Sequence, residues 1–180
     1  MSMIVNRRDI DFYLYEMLDL EGLLKNDRYQ EHDRDTVTAI LDLAQQIAEE
    51  AFLPCAAELD EHEPVFESGR AVTPDSLKAC LKTFVEAGLP AATLDAALGG
   101  MQLPMLVANF MQGIFQAANG SAVGYIFLTT SNAHMLEACG SDALRARYLP
   151  PLVEGRWFGT MCLSEPHAGS SLSDIRCMAE

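Results

Sequence analysis

Apolar side chains recur at intervals of three and four residues along most of the chain, and this spacing predicts helices. Over 9–20, Ile10, Tyr13, Leu14, Met17 and Leu18 share one stripe, with Asp9, Asp11, Glu16 and Asp19 outside it and Gly22 as the expected stop. Residues 25–35 are too polar to pack deeply and read as a linker or exposed turn. The clearest stripe follows: Val37, Ile40, Leu41, Ala44, Ile47, Ala48, Ala51 and Phe52, capped by Asp35 or Thr36. Pro54 is expected to kink this helix rather than end it, because Ala56, Ala57 and Leu59 continue the pattern. Residues 60–72, with Pro64 and Gly69, read as a loop. Thr73-Pro74-Asp75 then offers a hydroxyl cap, a first-turn proline and an acid at the positive end of a helix dipole. Leu77, Cys80, Leu81, Phe84 and Val85 form its buried stripe, and Gly88 closes it.

Residues 89–103 read as an apolar loop with a Gly99-Gly100 hinge. From Pro104 a helix runs through Leu106, Val107, Phe110, Met111, Ile114 and Phe115 to a break at Asn119-Gly120, and it is apolar on most sides, which implies a central position. A second buried helix spans 121–139 and ends at Gly140; Ser141 caps a shorter one carrying Leu144 and Tyr148. From Trp157 to Leu163 the pattern becomes an apolar, strand-like run, broken at Glu165-Pro166 and followed by the small-residue turn Ala168-Gly169-Ser170-Ser171. The expected fold is all-α: five or six helices, up and down, closing with one strand and a loop. Three parts are expected: a helical extension over 1–35, a helical domain over 36–155, and the start of a β-domain over 156–180. A lone strand cannot satisfy its own backbone groups, and the pattern stops midway at 175–180, so truncation is expected.

Charge excludes some partners. The formal net charge is −14, and residues 1–63 hold 16 of the 26 acidic residues but only 5 of the 12 basic ones. Nucleic-acid backbones and anionic membranes both call for a basic face, so neither is expected as a partner. Five cysteines without CxxC spacing imply a reduced, cytoplasmic chain. The four histidines form no ligand cluster with them, so no metal site is expected. The amino end lacks an apolar signal core, and no apolar run reaches the ~18 residues a membrane span needs.

No triad, paired-carboxylate site or phosphate loop is visible. Cys162 lacks a matched histidine and reads as a small packed side chain; His167 reads as a surface residue; Glu165 suits a structural hydrogen-bonding role at least as well as that of a base. The more specific signal is Ser164-Glu165-Pro166-x-Ala168-Gly169-Ser170. Gly169 permits a sharp turn and close approach to a ligand, and loop N–H groups with the hydroxyls of Ser170 and Ser171 would form a small anion cradle, though on these residues alone a strand-ending turn is a slightly better reading than a cofactor site. Ser164 is placed to bond a planar polar ring edge.

Met161 through Ser171 resembles the flavin-binding motif of acyl-CoA dehydrogenases, centred on Thr-Glu-Pro-x-Ala-Gly-Ser-Asp. The likeness continues upstream, in Leu98-Gly99-Gly100 and in the run from Gly140-Ser141-Asp142 through Tyr148-Leu149-Pro150-Pro151-Leu152 to Gly155, so it covers roughly residues 36–180. Arg8-Asp9-Ile10-Asp11-Phe12, Glu16-Met17-Leu18 and Gly159-Thr160-Met161-Cys162-Leu163 are similar to the branch containing 3-methylmercaptopropionyl-CoA dehydrogenase.

The resemblance implies an N-terminal helical domain, a middle β-domain and a C-terminal helical bundle, assembled as a homo-oligomer. It implies FAD as cofactor, with Met161, Leu163 and Ser164 along the flavin ring, Gly169 and Ser170 on the pyrophosphate, and Ser170 also approaching the acyl-CoA. The long helices before the strand would form a wall of the acyl pocket. The reaction implied is α,β-dehydrogenation: a glutamate removes the α-proton and the β-hydrogen leaves as hydride to the flavin, with electron-transfer flavoprotein or a similar acceptor downstream. Ser164 stands where threonine is commoner and Ser171 where aspartate is, which removes a charge from the turn. The family's catalytic glutamate falls beyond residue 180, so these 180 residues alone are expected to be inactive. From another functional class, a non-catalytic helical interaction module derived from this fold is the alternative.

Overall fold

Asp33, rather than Asp35 or Thr36, starts the longest helical run. Its carboxylate accepts from the Thr36 backbone N–H at 2.8 Å while the Thr36 hydroxyl accepts from the Asp33 N–H at 2.7 Å, a reciprocal cap. The computed structural model describes residue 2 and residues 4–178. The pattern break expected at 175–180 thus falls partly outside the described residues, as does part of the amino end read for a signal core.

The extension is α1 (Arg7–Asp11), continued by a wider π-type turn over Phe12–Met17, and then α2 (Leu20–Leu23). Asp19, at φ 45°, separates the two, and its carboxylate accepts from the Gly22 N–H. Gly22 therefore lies inside a helical turn and is not the stop. Ile10, Leu14, Leu20 and Leu24 enter the main core, but Tyr13, Met17 and Leu18 stay exposed. The wider turn holds more residues per revolution, so a stripe read at 3.6 residues drifts off the buried face. Residues 27–29 make a short 3-10 turn tied to the body of the molecule: the Arg28 carbonyl accepts from Gln102 at 2.9 Å, and Arg28 pairs with Asp95.

α3 (Arg34–Ile47) passes through a π-type turn at 48–52 and a 3-10 turn at 53–55 into α4 (Ala56–Glu61), so the chain remains helical across Pro54. Residues 60–72 are not merely loop. β1 (Val65–Glu67) pairs antiparallel with β2 (Arg70–Val72) in the register Val65↔Val72, Phe66↔Ala71, Glu67↔Arg70. Ser68 and Gly69 turn the hairpin with both φ values positive, the twist that two-residue hairpin loops favour. Both strands are exposed.

α5 (Asp75–Glu86) starts at Pro74 without a side-chain cap, so the Thr73 hydroxyl does not serve the expected role. The segment 89–103 is ordered by its own bonds, Leu103 N–H to the Ala92 carbonyl at 2.8 Å among them. α6 (Met105–Ala118) and α7 (Gly120–Cys139) meet at Asn119 alone, and α8 (Asp142–Val153) is capped by Ser141. One core joins the extension, α3 to α7 and the turn at 89–92; its centre is a ring cluster in which Phe115 lies 4.8 Å from Phe52 and 5.2 Å from Phe84. No helix among the described residues is long and apolar enough to cross a membrane.

Candidate functional site: the segment after helix 8

α8 runs through Pro150 and Pro151 to Val153, and the Pro151 carbonyl accepts from the N–H groups of both Arg156 and Trp157 at 3.0 Å. This doubles the chain back along α7. Three α7 side chains, spaced four and three apart, then hold it. Tyr125 packs edge-on against Phe158 with ring centroids 6.1 Å apart. The buried Thr129 hydroxyl accepts from the Gly159 N–H at 2.9 Å, and Asn132 donates to the Thr160 carbonyl at 3.3 Å. Gly159 is required by this approach: a Cβ there would lie 2.6 Å from Asn132 Nδ2 and 2.8 Å from the Leu128 carbonyl oxygen.

Residues 161–164 run free of any ladder, so the strand expected over 157–163 is not formed. The run is apolar and extended in pattern, but no neighbouring strand among the described residues offers partners for its backbone. Met161 is 59% exposed and Leu163 43% exposed, and Ser164 also faces solvent.

The turn after them is closed by reciprocal bonds between Glu165 and Ala168, at 2.8 and 3.1 Å. It brings Ser164 over Gly169: the Ser164 hydroxyl oxygen lies 3.9 Å from where a Gly169 Cβ would sit. Gly169 does not adopt a positive φ, so its smallness leaves room beside Ser164 rather than permitting a left-handed bend. Ser170 and Ser171 are exposed next to it, and only Ala168 is buried. Met161, Leu163, Ser164, Gly169 and Ser170 are all exposed, and of these the structure brings Ser164 and Gly169 together.

Glu165 organises this loop. Its carboxylate accepts from the Arg176 N–H at 3.0 Å and the Cys177 N–H at 2.7 Å, with His167 Nε2 at 3.3 Å. A carboxylate so engaged is a strut. Cys162 is exposed. Thr129, Asn132 and Glu165 are the functional positions that sequence reasoning missed or left open.

On its other side α7 borders a cavity of about 140 Å3, shared with α5, α6 and the turn at 89–93. Thr93 and His134 share a hydrogen bond on its wall. Burial, with Cys55 alongside, pushes the Cys80 thiol up to about 12, so it is no nucleophile. No group of three or more metal-binding side chains occurs among the described residues.

Residues 34–156 match the family described as acyl-CoA dehydrogenase, N-terminal domain. Among curated proteins, the chain is 34% identical to 3-methylmercaptopropionyl-CoA dehydrogenase of Ruegeria pomeroyi over 96% of its own length and 29% of that protein's. It is 30% identical to a butyryl-CoA dehydrogenase of Syntrophomonas wolfei, over 93% of the chain and 28% of the relative. It is also 30% identical to the broad-specificity linear acyl-CoA dehydrogenase FadE5 of Mycobacterium tuberculosis, over 97% and 28% respectively. The chain therefore spans under a third of the length of these relatives.

Proposed function

The chain belongs to the acyl-CoA dehydrogenase family, whose N-terminal helical domain it carries, and we propose that it supplies the helical wall and one face of the flavin site of an enzyme that α,β-dehydrogenates an acyl-CoA thioester. The observation that carries this reading is the surface from Met161 to Ser170, anchored on α7 at Gly159 and Thr160 and open beyond them. Its donor set suits FAD. Met161 and Leu163 offer apolar contact to a flat ring, the main chain of 161–164 and the Ser164 hydroxyl suit its polar edge, and Gly169 with Ser170 suits a pyrophosphate. Ser170 also suits contact with the acyl-CoA.

FAD, when bound, supplies the acceptor for the substrate's β-hydrogen. The residues of this chain would bind and orient the flavin and the substrate; Glu165 is not offered as the α-proton acceptor, since its carboxylate accepts from two backbone N–H groups. The base, the electron acceptor (electron-transfer flavoprotein or similar) and a homo-oligomeric, cytoplasmic assembly belong to the whole enzyme. The 180-residue chain then reduces no dye with acyl-CoA, and measurable turnover would sink that statement.

The direct test is an FAD titration of the chain followed by flavin fluorescence. Quenching is expected, with affinity lowered about tenfold by removing both hydroxyls in Ser164→Ala/Ser170→Ala, at roughly 0.5–1.5 kcal/mol per hydrogen bond. A folded chain that leaves FAD fluorescence unchanged speaks for the interaction module instead.

A further inference from the structure

The open segment is a short span between two fixed ends. At one end Gly159 and Thr160 are bound to α7; at the other Glu165 is bound to Ala168, Arg176 and Cys177. Between them the backbone of 161–164 makes no hydrogen bond among the described residues. Its direction is therefore inherited from its ends. At the α7 end, two side chains each bridge the helix to the segment. The Thr129 hydroxyl donates to the Tyr125 carbonyl at 2.6 Å, which leaves its lone pairs for the Gly159 N–H at 2.9 Å. Asn132 Nδ2 donates to the Leu128 carbonyl at 2.8 Å and to the Thr160 carbonyl at 3.3 Å. Each side chain is thus oriented by its own helix before it reaches the segment. The bound Thr160 carbonyl also fixes the peptide plane it shares with Met161, and in a trans peptide the Met161 N–H then points the other way, off α7. Thr130 offers an internal contrast: its hydroxyl donates only within α7, to the Ile126 or the Phe127 carbonyl, each at 3.1 Å.

We propose that Thr129 and Asn132 are positioning residues for the flavin. Touching neither cofactor nor substrate, they set the direction of 161–164 and hold it in place before FAD arrives. Binding then does not have to order the segment, and a site ordered in advance binds more tightly than one ordered by its ligand. The hydroxyl of Thr129 and the amide of Asn132 act here as one clamp, on the peptide planes either side of Thr160. The inference rests on the flavin reading above and adds to it two residues that lie on the helix rather than in the segment.

FAD titrations of the 180-residue chain, followed by flavin fluorescence and by visible circular dichroism of the bound flavin, test it. Thr129→Val, which keeps the side chain's shape and removes the hydroxyl, should weaken FAD binding about fivefold, as should Asn132→Leu. Thr129→Ser, which keeps the hydroxyl, should restore both the affinity and the dichroism of the parent chain. Thr130→Val loses a bond of the same kind inside α7 and should bind FAD as the parent does. Denaturation midpoints identify the folded variants, and the Thr129→Val and Thr129→Ser pair decides the matter if Asn132→Leu does not fold. Parent affinity and dichroism in Thr129→Val, or a loss in Thr130→Val as large as in Thr129→Val, overturns the proposal. A parent chain that gives no flavin response sinks the flavin site and this proposal with it; a parent that binds FAD, with variants that bind it equally well, sinks the positioning alone.

Discussion

Asn119 does more than one residue's share of work. The 3-10 turn at Pro54 sends the Ala56 N–H to the Leu53 carbonyl, which leaves the buried Phe52 carbonyl short of its helical partner. Asn119 Nδ2 donates to that oxygen at 3.0 Å, while Asn119 Oδ1 caps α7 through the Ala122 N–H at 3.0 Å. Asn119→Ala removes both at a buried position and should cost about 2 kcal/mol in chemical denaturation; Asn119→Ser, which keeps a cap, should cost less. Cys80 provides a second residue-level test. Its thiol is raised in the folded chain to about 12, so between the ordinary thiol range and that value the unfolded chain loses a proton that the folded one keeps. Stability from this group is therefore complete at neutral pH and falls as pH rises through that window. Denaturation midpoints measured from pH 8 to 11 should decline less steeply in Cys80→Ala.

Among the elements, those with a 3.6-residue apolar stripe were legible: α3, α5 and α6 lie where the spacing of Val37 to Phe52, Leu77 to Phe84 and Leu106 to Phe115 puts them, while α7 was legible from its apolar content between Asn119-Gly120 and Gly140 and carries no such stripe. The hairpin at 65–72 was not. Three-residue strands are too short to display alternation, and with both faces exposed no apolar face marks them. The run at 157–163 failed for the opposite reason: its composition suits a strand, but pairing is a property of two segments, not one. For the site, the turn at 164–170 was visible in its small residues. Its attachment through Thr129 and Asn132 was not, because hydrogen bonds across 30 and 28 residues leave no local pattern. Thr129→Val should free the Gly159 amide and raise its hydrogen-exchange rate more than tenfold, with little change at α3; an unchanged rate would show that the anchor is dispensable.

For the whole molecule, the extension is structural rather than appended. Leu14 and Leu20 are fully buried in the same core as Val37 and Leu41. Leu14→Ala should cost about 3 kcal/mol and lower the single unfolding transition, whereas a separate melting step for the extension would contradict the shared core. Breaking the exposed Arg28–Asp95 pair should cost under about 1 kcal/mol. Burial, not charge, fastens the extension.

The junction between α6 and α7 also bears on how the protein ages. Asn119 is followed by Gly120, a pair whose side-chain amide is open to attack by the next backbone nitrogen when the chain is flexible. Here the amide is 4% exposed and its Nδ2 is bound to Phe52. The native state therefore shelters it, and each unfolding event exposes it to hydrolysis to aspartate. Such a copy refolds without its donor to Phe52, so deamidation at this one position would accumulate as an irreversible record of time spent unfolded.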